Sequence, residues 1–251
     1  MRLHYLPILL LSAALAGCSS DSESFGLGSA MEQSVYSAAI SAESSGDWRT
    51  MASHMRTLYE KHPKDRGIAL KFSRAMRLSG EPRQAADFIE NFADKFGKGG
   101  DTALELGRCY LATDQINLAL RNLEEAKSKA PDNWEVHSLS GVALDYLGRY
   151  DEALKSYEQA LKVSPENPTV LNNLALSQAV RGDLPAAIAT LEKANDQPRA
   201  NPQIRQNLAL MMAIKGDAIA AERFSRKDLS PEMVRHNLRY FRALAESSKV
   251  Y

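Results

Sequence analysis

WEVHSLSGVALDYLGRYDEALKSYEQALKVSPEN, residues Trp134 to Asn167, decides the fold. Apolar and small residues recur at helical spacing on either side of Gly148. Pro165 then stops the second run, and Asn167 offers a cap to whatever follows. This is the pattern of a helix, a tight turn and an antiparallel helix. Working outward, NLAL at Asn173–Leu176 recurs at Asn207–Leu210, thirty-four positions later. Frames of that length begin at 32, 66, 100, 134, 168 and 202 without a gap. Their eighth place holds Ala39, Ser73, Gly107, Gly141, Ala175 and Ala209, all small. The fifteenth holds Gly46, Gly80, Asp114, Gly148, Gly182 and Gly216, all turn formers. The twentieth holds Met51, Ala85, Ala119, Ala153, Ala187 and Ala221. The last holds Asp65, Gly99, Asn133, Asn167 and Asn201, all helix N-cap types. Small residues at places eight and twenty predict close approach of the paired helices, with larger residues at seven and twenty-four filling the remaining space.

This period and residue set resemble the tetratricopeptide repeat over residues 32 to 235. The resemblance implies an all-α, right-handed superhelical solenoid of about six helix hairpins with a C-terminal capping helix. The frames 32–65, 66–99, 100–133, 134–167, 168–201 and 202–229 mark the repeats, and 230–251 marks the capping helix and tail. Ser230 is the expected cap of that last helix, and Val234, Leu238, Phe241 and Ala245 recur along one side of it.

The N-terminus reads differently. MRLHYLPILLLSAALAGC has a basic start at Arg2 and an apolar run from Leu6 to Ala16, too short to span a bilayer and suited to a secretory signal. It ends in Leu15-Ala16-Gly17-Cys18, which resembles the lipobox of bacterial lipoproteins. That resemblance implies a signal peptide over 1–17, cleavage before Cys18 and acylation of Cys18. Ser19 and Ser20 follow it, which by lipoprotein sorting rules implies the periplasmic face of the outer membrane. Residues 18–31 are rich in Ser and Gly and read as a flexible tether, reaching roughly 20 Å.

Lys plus Arg equals Asp plus Glu, 31 against 31, and the signs are interleaved, so no global field favours nucleic acid. The two cysteines are too few for a disulfide framework. The histidines have no metal-ligand spacing, no glycine loop cradles phosphate, and Cys109 falls inside a helix beside Gly107. No catalytic residue, metal, cofactor or small-molecule substrate is expected; the chain reads as a binding protein and not an enzyme.

In tetratricopeptide arrays the first helix of each pair lines a concave groove, through places two, five, six, nine, twelve and thirteen. Carried over by resemblance, these places give an apolar stripe of Leu111, Val142, Tyr146, Leu176, Val180, Leu210 and Ile214. An amide stripe of Asn172, Asn173, Gln206 and Asn207 runs beside it, with Arg108 and Asp145 as a candidate ion pair between units. The apolar side chains would receive a peptide's side chains and the amides its backbone. The alternatives are that Asn173 and Asn207 tie neighbouring helices together, and that Leu176 and Leu210 belong to the core.

RQNLALMMAIKGDAIAAERFSRKDLSPEMVRHNLRYFRAL, Arg205 to Leu244, resembles the C-terminal end of TadD-type lipoproteins of the tight adherence (Flp) pilus. The shared elements are a last repeat, Asp228-Leu229, a helix start at Pro231-Glu232, and Asn237-Leu238-x-Tyr240-x-Arg242; Phe241 stands where leucine is usual. The resemblance implies a pilotin-like scaffold that binds a segment of a secretin or another pilus assembly protein, held to the membrane by its lipid. A pilotin of a type IV pilus or type II secretion system, and an adaptor for peptidoglycan synthases or hydrolases, are the alternatives.

Overall fold

The computed structural model describes residues 28–247, and side chains as far as residue 241. The expected signal peptide, Cys18 and most of the tether lie outside the described residues. Every regular element among those described is a helix, as expected for the all-α class. The chain divides at Leu147–Gly148 into two compact units, and the expected run of repeats falls across both.

The N-terminal unit holds α1 (Ala30–Ser45), α2 (Trp48–Lys61), α3 (Arg66–Leu78), α4 (Pro82–Phe96), α5 (Gly100–Leu111), α6 (Ile116–Lys129) and α7 (Trp134–Tyr146). The C-terminal unit holds α8 (Tyr150–Val163), α9 (Pro168–Val180), α10 (Leu184–Asn195), α11 (Pro202–Lys215), α12 (Ala218–Ser225) and α13 (Pro231–Ser247). From α3 to α11 the first helix of each pair starts at 66, 100, 134, 168 and 202, in step with the sequence period. Within each unit successive helices pack together, and first helices also touch the next first helix: α3 with α5, α5 with α7, α9 with α11.

The caps explain the starts. Asp65, Asn133, Asn167 and Asn201 each accept from backbone N–H groups of the following helix, and Pro168 and Pro202 take the first helical position, where no donor is needed. Gly99 has no side chain to cap α5, and Thr102 answers by accepting from the Gly99 N–H. Ser29 caps α1, so that helix begins at Ala30, two residues inside the expected tether. At the turns, Gly148 has φ 70°, and Asp114 adopts φ 57° at the equivalent place, a left-handed conformation that Asp tolerates better than most residues.

The close-approach places behave as their size predicts. Ala39, Ser73, Ala175 and Ala209 at place eight, and all six residues at place twenty, are fully buried. A Cβ built on Gly107 would lie 2.8 Å from the Leu123 side chain, so α5 and α6 meet at a distance only glycine allows. Met55, Ile89, Leu123, Tyr157 and Leu191 fill place twenty-four; burying each contributes roughly 1.5–3 kcal/mol. Ser225 occupies that place in the last repeat, and its buried hydroxyl has no partner among the described residues. α13 closes the C-terminal unit: Phe241 joins the core of α9 to α12, with Leu238 packed against it.

Candidate protein-binding surface

The first helices of the N-terminal unit are joined by charge. Arg77 on α3 donates from Nε to Glu105 Oε1 at 2.9 Å; Arg108, one turn along α5 from Glu105, donates from Nη1 to Glu105 Oε2 at 2.8 Å. Arg108 also reaches α7, with Nε 3.0 Å from Glu135 Oε1 and Nη2 2.6 Å from Glu135 Oε2. Arg74 and Glu43 continue the series from α3 to α1 at 2.9 Å. Glu105 is 1% exposed. Burial is the largest influence on its carboxyl and raises its pKa, but Arg77 and Arg108 together outweigh it and hold the group below the usual glutamate value. The acids that hold Arg108 are thus Glu105 and Glu135, where the sequence suggested Asp145. The reason is reach: Glu105 shares its helix face at i−3, and Glu135 opens the helix packed alongside.

Two neighbours of this row are chemically quiet. Cys109 is fully buried, and burial, with the nearby Glu105 charge, pushes its thiol up to about 12, so it is no nucleophile at neutral pH. Tyr146 is partly buried, and its phenol is raised by that burial and by Asp114.

In the C-terminal unit the same helix faces are joined by amides. Gln203 Nε2 donates to Asn207 Oδ1 at 3.1 Å, Asn207 Nδ2 to Asn172 Oδ1 at 2.7 Å, and Asn172 Nδ2 to Asn173 Oδ1 at 3.4 Å. Asn207 is fully buried, while Asn172 and Asn173 are each 9% exposed. The Asn207–Asn172 bond links α11 to α9, and Asn207 has no surface to offer a ligand. Gln206 is partly exposed and donates to Asp228 Oδ2 at 3.4 Å. Asp228 is held mainly by Arg205, in a two-pronged pair that lowers its pKa and ties α11 to the turn before α13.

The apolar stripe divides. Leu111, Val142 and Leu210 are buried and belong to the core, because first helices pack on one another through these places. Leu176 and Val180 on α9, and Ala213 and Ile214 on α11, remain partly exposed, with Leu176, Ala213 and Ile214 packed against the core from outside. Val180 also lines an open cleft of about 500 Å³ with Arg149, Tyr150, Asp151 and Arg181, whose two cations are paired with Glu152 and Asp151. Arg74 and Arg77 are missed from sequence, and Glu105 and Glu135, which fall at groove-lining places six and two, are missed as the acids that hold Arg108; the signal was present as basic residues at places nine and twelve facing acids at places two, six and twelve of the adjoining frame.

Among the described residues no group of three His, Cys, Asp or Glu is placed to hold a metal, and no helix is long and apolar enough to cross a membrane. Residues 138–203 match the family model described as the tetratricopeptide repeat. No curated protein matches the chain. Of solved structures, the chain is similar to TTC0263, a thermophilic tetratricopeptide protein of Thermus thermophilus: 20% identity, 72% of this chain and 98% of that one covered, TM-score 0.66. MamA from Desulfovibrio magneticus RS-1 follows at 18% identity, 69% and 95% covered, TM-score 0.52. MamA AMB-1 is similar at 26% identity, 64% and 96% covered, TM-score 0.51. These likenesses are of fold. Residues 138–203 thus carry the tetratricopeptide repeat, and the chain shares the fold of tetratricopeptide proteins.

Proposed function

We propose that this chain is a lipid-anchored scaffold of pilus biogenesis, of the tight adherence kind, which holds a segment of a secretin or another assembly subunit on the apolar strip of α9 and α11. The observation that carries the binding reading is the strip itself. Val180 and Ile214 share repeat place thirteen on α9 and α11, with Leu176 at place nine and Ala213 at place twelve beside them, and all four keep part of their surface outside the core. The neighbouring Asn172, Asn173 and Asn207 hydrogen-bond within the fold, so apolar contact dominates and the fitting ligand is the apolar side of a helix or extended segment. The Leu15–Cys18 lipobox supports the anchor, and the Arg205–Leu244 resemblance supports the pilus. An acylated Cys18 raises the local concentration of the strip at the membrane, so that modest affinity suffices.

The test is made in cells. Leu176→Asp with Ile214→Asp is expected to abolish secretin multimers and pili at normal protein level, and Cys18→Ala to release the chain from the membrane fraction. Pili and multimers that persist in the double variant refute the strip; a Cys18→Ala chain that stays membrane-bound refutes the anchor.

A further inference from the structure

Repeat places nine, twelve and thirteen carry Leu176, Ala179 and Val180 on α9, and Leu210, Ala213 and Ile214 on α11. None of these side chains can donate or accept a hydrogen bond. The polar side chains nearest to them are engaged inside the fold. Asn172, Asn173 and Asn207 are buried and bonded to one another, with the Gln203 amide donating to Asn207. Gln206 Nε2 donates to Asp228, and Gln206 Oε1 is sealed from solvent. Gln178 Oε1 accepts from the Thr190 hydroxyl at 2.9 Å. Carbonyls that close the two helices are taken by their own turns: Ala179 O accepts from the Gly182 N–H, and Ala213 O from the Gly216 N–H. Thr169 and Gln203, at place two, stand seven residues before Leu176 and Leu210, about 10 Å back along each helix. Beyond Val180 and Ile214 come Arg181 and Lys215, exposed donors at place fourteen that offer nothing to a ligand N–H.

An extended segment brings one backbone N–H and one C=O per residue. Those facing the strip would leave water and find no partner on it, which is unfavourable for every group so placed. A helix closes its backbone bonds on itself and offers only side chains to the surface it meets. We infer that the segment held by the strip is an amphipathic α-helix of the partner protein, seated through apolar residues at i, i+3 or i+4, and i+7. This rests on the strip being the binding surface, and it decides between the two forms of ligand that apolar contact alone leaves open. The seat suits that form. Leu176 and Val180 lie one turn apart on one face of α9, Ile214 stands at the repeat place of Val180 on α11, and α9 and α11 pack together. Two helices side by side leave a furrow into which the side-chain ridge of a third fits. Alanine at place twelve of both helices leaves room for that ridge.

A photo-crosslinking amino acid at Val180, and in a second variant at Ala213, in the full-length chain in cells identifies the bound segment. That segment is then made as an isotope-labelled peptide and titrated with the purified chain. Its carbon chemical shifts are expected to move from coil to helical values over about two turns or more. Proline in its middle, opposite the apolar residues, is expected to weaken binding about hundredfold, and alanine at the same position to leave it unchanged. A peptide that binds, loses affinity to Leu176→Asp with Ile214→Asp, yet keeps extended shifts and tolerates the proline overturns the helix and leaves the strip standing. Binding indifferent to that double variant, or no crosslink from either position, overturns the strip and the helix with it. Crosslinks only to lipid or to another copy of this chain overturn the partner protein as occupant.

Discussion

Replacing Glu105 by Gln keeps the side chain's shape and removes its charge from between two arginines. Arg77 is 11% exposed and Arg108 20%, and Arg108 retains Glu135. Removing one partner of a sealed buried pair costs about 3–5 kcal/mol. Here some water reaches both guanidinium groups and the Gln carbonyl still accepts, which brings the expected loss to about 2–3 kcal/mol. Urea unfolding followed by tryptophan fluorescence isolates the effect, since Trp48 and Trp134 both lie in the N-terminal unit. The apolar double replacement Arg77→Met with Glu105→Leu is expected to lose less than Glu105→Gln alone, because no buried charge is left without its counter-ion. Because the folded-state carboxyl titrates below its ordinary value of 4.5, its stabilisation is complete above that value and is lost as pH falls through the lowered one. The gap between wild type and Glu105→Gln is therefore flat around neutrality and closes in acid. A loss below about 0.5 kcal/mol, within the range of ordinary surface substitutions, or a gap that does not narrow in acid, refutes the reasoning.

Three further outcomes are expected. Gly107→Ala drives a methyl group into Leu123 and lowers stability by about 1–3 kcal/mol; Leu123→Ala in the same chain recovers part of that steric cost, as a double-mutant cycle by thermal melting measures. Asn207→Ala leaves Asn172 Oδ1 without its donor and costs about 1–3 kcal/mol, read as a lower melting temperature and faster amide exchange in α9 and α11. Cys109, buried and with its thiol pushed up to about 12, is expected to react with a thiol reagent only as the N-terminal unit unfolds; rapid labelling of the native protein contradicts its placement.

The fold was legible because its rules are local. Gly148 turns the chain, Asn167 caps α9 and Ala187 lets α9 and α10 touch, and each does so by virtue of its own size or conformational range. Asp114 was readable as a turn former because Asp, like Gly, tolerates positive φ. The surface was less legible because it depends on which repeat lies beside which. Asn207 and Leu210 share a helix with Gln206 and Ile214, yet the first two are sealed by neighbouring helices while the others keep surface, a difference of packing that the repeat places alone do not encode. The ionic row escaped for a related reason. Its partners stand 28 and 27 positions apart, Arg77 with Glu105 and Arg108 with Glu135, so a search at the repeat period passes over them.

The central claim is that the α9 and α11 strip captures a protein segment by apolar contact. Isothermal titration of the purified chain with the purified periplasmic regions of the secretin and of the other pilus assembly subunits in turn tests it most directly. The account predicts saturable binding with a negative heat-capacity change, weakened by at least about tenfold in Leu176→Asp with Ile214→Asp. Absence of binding, or binding that the double replacement leaves intact, contradicts it.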